Sequence, residues 1–253
     1  MVRPLTRGTT QGPGTYSVNV PEVASEAGFY SWVWSIDAAD QLPEVASPVS
    51  GQPSIPVGYH FTDGFGQTGE TQVSPSKITF VSDVSADHIT VGDTFTDSVT
   101  PSVTGGGWLQ NAGGRAAFKL RGSVYVSDSV PVPASSPPAD AQLLTTTFIT
   151  VDTPGVAVVS DPITIPLSST AEYVTVQWCL LTADQDASVA GLAEEYCDGY
   201  GVPSETSRIT HPMVSSVAQA ATTVGEVFTD DVTISGSMPT GGAFLSWTGF
   251  LAP

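Results

Sequence analysis

Hydrophobic positions along the chain alternate with polar ones in short runs, and helical spacing is nearly missing. Tyr30, Trp32, Trp34 and Ile36 share one parity, with Ser31, Val33, Ser35 and Asp37 on the other. Val174, Val176, Trp178 and Leu180 repeat this pattern against Tyr173, Thr175, Gln177 and Cys179. Alternation of this kind marks a strand with one buried face. The Trp-bearing face is expected to be core and the Ser/Thr/Gln face mostly wet. Phe118, Leu120, Gly122, Val124 and Val126 form another inward set, with Lys119, Arg121, Ser123 and Tyr125 pointing away. Further strands are expected over 78–84, 94–103, 142–151, 156–159, 162–167 and 206–210. Only residues 188–195 have the composition of a helical turn.

Glycine (25) and proline (20) punctuate these runs, as turns between short strands require. Seven to nine strands in residues 76–212 predict an all-β fold of immunoglobulin-like antiparallel β-sandwich modules. Two loops are enlarged. One is Gly-rich, over 105–115. The other, over 127–139, contains Pro131, Pro133, Pro137 and Pro138 and is expected to be an extended excursion.

The pattern is also copied. Residues 90–100 (TVGDTFTDSVT) return as 223–233 (TVGEVFTDDVT), with eight positions identical. Trp34 with Ala39-Asp40-Gln41 returns as Trp178 with Ala183-Asp184-Gln185. Asp63-Gly64-Phe65-Gly66 and Glu70-Thr71 return as Asp198-Gly199-Tyr200-Gly201 and Glu205-Thr206. Internal repetition fixes architecture before any single element does. Its phase predicts the C-terminal part of a first module in 1–75, a complete module in 76–212 and the N-terminal part of a third in 213–253. The two partial pieces are complementary and are expected to be able to pair.

Charge narrows the partners. There are 25 acidic and 7 basic residues, for a net charge of −18. Nucleic acid and anionic membrane surfaces are disfavoured, because both are bound through Lys and Arg. No apolar run approaches the roughly 18 residues of a membrane-spanning helix. The opening residues lack the apolar stretch of a secretion signal, so a signal and an anchor are expected outside this segment. A hydrophobic content of 40% argues against disorder.

Cys179 and Cys197 are the only cysteines. Aligning the copies sets Ser35 opposite Cys179 and Thr62 opposite Cys197, so one module holds both thiols and the other neither. Paired gain is what a disulfide predicts, and it implies an oxidising compartment. Cys179 lies on the outward parity, so the bond is expected to staple 180–196 on the surface. Two free thiols are the alternative.

Catalytic chemistry finds little support. His60, His88 and His211 have no histidine counterparts in the other copy, and no nucleophile elbow, zinc-binding helix or phosphate loop is present. Asp97, between Phe95 and Val99, and Asp230, between Phe228 and Val232, lie on inward parity. A buried acid needs a partner. The favoured reading is a carboxylate accepting hydrogen bonds at a strand bend. The sharper alternative is an acid promoting an intramolecular Lys amide or Thr–Gln ester crosslink, with only Lys77 and Lys119 as amine sources. Asp63-Gly64 and Asp198-Gly199 read as turns, with calcium at a junction between modules as the alternative. No other cofactor is expected. Among Trp32, Trp34, Trp108, Trp178 and Trp247, the repeated Trp34/Trp178 pair reads as core rather than as a sugar platform.

Residues 14–21 (GTYSVNVP), 28–41 (GFYSWVWSIDAADQ), 65–71 (FGQTGET) and 91–100 (VGDTFTDSVT) together resemble the tandem Ig-like repeats of large actinobacterial cell-wall surface proteins, often called adhesin-like. The resemblance covers nearly the whole chain. It implies an extended stalk or adhesive array in the cell wall, outside the cell. Its partners would be neighbouring modules and a host or environmental surface ligand, with no catalytic residues to transfer. The competing class is an accessory ligand- or glycan-binding module of a secreted enzyme, which would show a solvent-facing aromatic row.

Overall fold

Strict alternation builds the central strands. In the computed structural model, residues 14–17, 24–41, 59–220, 223–227, 229–242 and 244–248 are described. The central strands are β1 (Lys77–Val84), β2 (His88–Thr90), β3 (Thr94–Phe95), β4 (Asp97–Thr104), β5 (Phe118–Ser127), β6 (Gln142–Val151), β7 (Val158–Val159), β8 (Ile163–Thr164), β9 (Tyr173–Leu180), β10 (Tyr196–Cys197) and β11 (Thr206–Thr210). One sheet runs β6–β5–β9–β11–β2, with β10 against β9. It is antiparallel except for the β11/β2 pair. The other runs β7–β4–β1, all antiparallel. Between β1 and β2 the chain leaves the second sheet for the edge of the first. Ser85 marks that crossing: its N–H donates to Thr96 O (2.9 Å) and its Oγ accepts from Thr96 N–H (3.0 Å).

The inner faces pack into one core. Ile78, Phe80 and Val99 of the second sheet belong to the same buried cluster as Phe118, Leu120, Val124, Trp178 and Ile209 of the first. Phe80 meets the Tyr196 ring edge-on at 5.0 Å, and Trp108 meets Phe118 at 5.4 Å. The Trp108 indole N–H, which must find an acceptor when covered, donates to Ala116 O at 2.6 Å.

The outer face of β9 departs from the alternating expectation. Thr175 and Gln177 are buried along with the core residues beside them. The proline-containing excursion is the cause: it lies over this face as a strap. Ala134 and Tyr200 exchange backbone hydrogen bonds (3.0 and 2.7 Å), and Gln177 Nε2 donates to Ser135 O. Tyr200 is fully buried beneath the strap, edge-on to Tyr125 at 5.7 Å. Gly201, at φ +70°, has Pro131 and Val132 within 3.0 Å of where a Cβ would sit.

Three ladders flank the sandwich. Gly28–Ser31 pairs with Thr71–Ser74, Ser35–Asp37 with His60–Thr62, and Pro212–Ala218 with Asp230–Gly236. The strand expected over 30–36 is therefore two short ones. Trp32 N–H donates to Glu70 O and Trp34 N–H to the Asp63 carboxylate, so residues 32–34 leave the ladder. Its copy β9 stays continuous because β5 pairs along its other edge. Trp34 is correspondingly 48% exposed, against 0% for Trp178, which corrects the expectation that both are core. Asp230 is exposed as well, whereas Asp97 is buried as expected. Phe228, its expected neighbour, lies outside the described residues, as does most of the chain before residue 24.

Gly122 faces Trp178 across the β5/β9 register, and a Cβ there would come within 2.8 Å of the indole and 3.0 Å of Thr147. The indole is locked by a hydrogen bond and cannot step aside cheaply. Gly122→Ala is expected to cost about 1–3 kcal/mol as an overpacking change, read as a lower urea midpoint with an unchanged slope.

Candidate functional site

Asp97 opens β4 on its inward face, where its carboxylate would lie in hydrocarbon without a donor. Trp178, from the facing sheet, supplies one: its Nε1 donates to Asp97 Oδ2 at 2.8 Å. The Asp97 backbone is pinned too, its N–H donating to Ser160 Oγ (3.0 Å) and its O accepting from Ser160 N–H (2.8 Å). Two more acids join it. Asp198 follows β10 and accepts the Trp178 backbone N–H on Oδ1 at 2.8 Å, while its own N–H donates to Trp178 O at 3.1 Å. Glu205 closes the single turn Pro203–Glu205 that leads into β11. Relative exposure is 0% for Asp97, 7% for Asp198 and 2% for Glu205.

No cation is among the groups that set their protonation, so the cluster must hold protons instead. Asp198 is pushed up to about 9, first by burial and then by Glu205. Glu205 is pushed up to about 7, mainly by burial, with the Ser82 hydroxyl and Asp198 acting in the other direction. Asp97 is raised by burial, against the lowering effect of its hydrogen bonds from Trp178 and Ser82. Asp97 Oδ1, Asp198 Oδ2, Glu205 Oε2 and Ser82 Oγ are buried without a hydrogen-bonding partner of good geometry. This arrangement can retain a proton between Asp198 and Glu205 at neutral pH and use it to hold strands together.

The first copy repeats the frame. Trp34 N–H donates to Asp63 Oδ1 at 2.6 Å, and Asp63 N–H donates to Trp34 O at 3.0 Å. Glu70 is raised above the usual carboxyl range by desolvation and then by Asp63. Gln41 Nε2 donates to Asp37 O as Gln185 Nε2 does to Leu181 O. Gln185 also clamps both backbone groups of Lys119, tying β9 to the start of β5. Ser35 pairs with Thr62 in the same register as Cys179 with Cys197. The alignment read from the sequence is thus reproduced in these local bonds and in the strand register.

Cys179 and Cys197 form a disulfide with Cα atoms 4.1 Å apart, on the outer side of the sheet. Lys77 reaches toward Glu194 at the surface, and Lys119 lies over the Phe148 ring. Neither of these amines approaches Asp97, whose carboxylate is held by the Trp178 indole, so the Lys amide crosslink has no geometry here. Asp63 and Asp198, the alternative calcium ligands, bind backbone N–H groups. Among the described residues no group of three or more His, Cys, Asp or Glu is set out to hold a metal ion. His60 faces Asp37 at 3.2 Å, and His211 faces Ala171 O at 3.0 Å. A surface depression of about 340 Å³, lined in part by Leu144, Thr147, Ile163 and Pro166, contains no titratable group. The sequence showed Asp97, but not that Asp198, Glu205 and Ser82 converge on it. The repeated Glu-Thr pair was the one signal of Glu205.

The cluster makes stability depend on pH in a defined direction. The folded state binds protons that the unfolded chain releases near pH 4. Its contribution is fully present below the unfolded values and is lost as pH rises through about 7 for Glu205 and about 9 for Asp198. The melting temperature should therefore fall across that window, by roughly 2–4 °C per kcal/mol. Asp198→Asn, which keeps the acceptor for Trp178 N–H and needs no proton, should flatten the upper part of the profile.

No family model, no curated protein and no solved structure matches this chain, so the geometry of these residues carries the functional reading.

Proposed function

We propose that this chain is a non-catalytic structural or adhesive repeat segment of a bacterial cell-surface protein, built of Ig-like modules displayed in the cell wall. The observation that carries this reading is the Trp–Asp–Glu frame. It occurs twice, at Trp34/Asp63/Glu70 and Trp178/Asp198/Glu205, and in each copy its polar groups bind the backbone of neighbouring strands. Repeated residues whose chemistry is spent on holding strands fit a spacer or scaffold, with any ligand taken by loops. The opening strand, divided between β1 in one sheet and β2 in the other, is consistent with an Ig-like topology.

The disulfide and the acidity fit the same setting. A bond between Cys179 and Cys197 needs an oxidising compartment. Among the described residues no helix is long and apolar enough to cross a membrane. Under tension the disulfide shields residues 180–196 from extension, a loop worth about 3 kcal/mol in the chain-entropy account.

A second reading rests on one observation. Tyr30, Trp32 and Trp34 are exposed, and such a row could stack on sugar rings, as in an accessory module of a secreted enzyme. Trp32-dependent hits on a glycan array would favour it, and their absence would remove it.

Surface placement is checked by labelling intact producing cells with an antibody to the sandwich while trapping free thiols. The expected result is labelling without permeabilisation and no trapped cysteine. A purely internal protein with both thiols reduced would overturn the proposal. In single-molecule stretching, reduction should add roughly 60 Å of contour length, from 180–196 at about 3.4 Å per residue.

A further inference from the structure

The two flanking regions expose faces whose copies are buried in the sandwich. Tyr30, Trp32, Trp34 and Ile36 are all exposed, while their counterparts Val174, Val176, Trp178 and Leu180 are all buried. What buries Trp178 is the β1/β4 pair with Asp97. The ladder Pro212–Ala218 with Asp230–Gly236 is a copy of that pair. Asp230 faces Ala218 as Asp97 faces Val84, and Ser216 faces Val232 as Ser82 faces Val99. Gln219 N–H donates to Thr229 O (2.9 Å) as Ser85 N–H does to Thr96 O (2.9 Å). Val214, Val232 and Ile234 of this ladder are exposed.

One flank therefore holds half of the buried acid cluster and the other flank holds the complement. Residues 28–74 supply Trp34, Asp63 and Glu70, and 212–236 supply Asp230 and Ser216. Among the described residues Glu70 Oε2 is buried without a hydrogen-bonding partner of good geometry, and no serine stands by Glu70 as Ser82 stands by Glu205. The two flanks leave the sandwich at opposite ends of β4. Ala27 N–H donates to Gly105 O just beyond it, and Thr240 N–H donates to Asp93 Oδ1 before it. The eight residues of β4 span roughly 26 Å, with the sandwich between, which favours closure between chains over closure within one.

We infer that the aromatic face bearing Tyr30, Trp32, Trp34 and Ile36 is a docking surface for the ladder Pro212–Ala218 with Asp230–Gly236 of a second copy of this chain, re-forming a sandwich in which Trp34 donates to Asp230. Such a contact joins two different patches, so it is heterologous and propagates head to tail. Each junction would bury Trp34, Ile36, Val214, Val232 and Ile234. The net charge of −18 opposes it, so added salt strengthens association by screening.

Sedimentation of the full chain over a concentration series, at low and high salt, tests this. The expected result is a concentration-dependent ladder of oligomers that grows with salt. Trp34→Ala removes one side of the junction, and Val232→Asp places an unpaired charge on the other. Both positions are exposed in the single chain, so the melting of the central sandwich should be unchanged in each. Each variant alone is expected to stay monomeric, and an equimolar mixture is expected to stop at dimers, since one intact junction remains. Asp230→Ala, which strips the indole N–H of its acceptor, should weaken association roughly tenfold or more. A wild-type chain that stays monomeric throughout would overturn the inference. So would variants that associate as wild type does, or a mixture that stays monomeric.

Discussion

The hydrogen bond from the Trp178 indole to the Asp97 carboxylate is the constraint around which the sandwich is arranged. It crosses from one sheet to the other in the middle of the core. An indole N–H and a carboxylate are both costly to bury alone and acceptable together. The pair fixes which residue of β4 faces which residue of β9. Gly122 is required opposite the indole, because no side chain fits there. Asp198 then holds the backbone of Trp178, and Glu205 and Ser82 complete the polar island. Removing Asp97 leaves the indole N–H without its acceptor, and removing Trp178 takes from Asp97 one of the donors that hold it in the core.

Acids without cations in a core would be self-defeating if ionised. The island is workable because burial keeps protons on it. Asp198, held up to about 9, acts as a neutral donor and acceptor at ordinary pH. The strongly acidic surface and the protonated core acids are therefore physically separate. The surface charge repels other copies at long range, while burial raises the core acids and holds a proton on Asp198 with no lysine beside it.

The same frame in the first copy shows what the facing sheet contributes. Trp34, Asp63 and Glu70 make the same local bonds as their counterparts, because these are set by a turn, a strand pair and a side chain close by. Yet Trp34 stays exposed and its strand breaks at 32–34, since no second strand or sheet covers it among the described residues. Local bonding is autonomous, whereas burial is not.

Alternation and turn residues determined the long strands of the central unit, down to the bounds of β6, β9 and β11, because a half-buried strand writes its geometry into parity. The short β2 and β10 carry too few residues to show it, and the break between β3 and β4 was not legible. The repeat determined the pairing of Ser35 with Thr62 and the disulfide between Cys179 and Cys197, because copied residues keep copied registers. The identity of Asp97 as an inward acid was legible too. Its partners were not. Trp178, Asp198, Glu205 and Ser82 come from four separate segments, and nothing along the chain states that they converge. The strap that buries Thr175 and Gln177 was equally hidden, since parity describes two faces of a strand but not what lies over them. The exposure of Trp34 and Asp230 depended on whether a facing layer was present, and only the tertiary structure decided that.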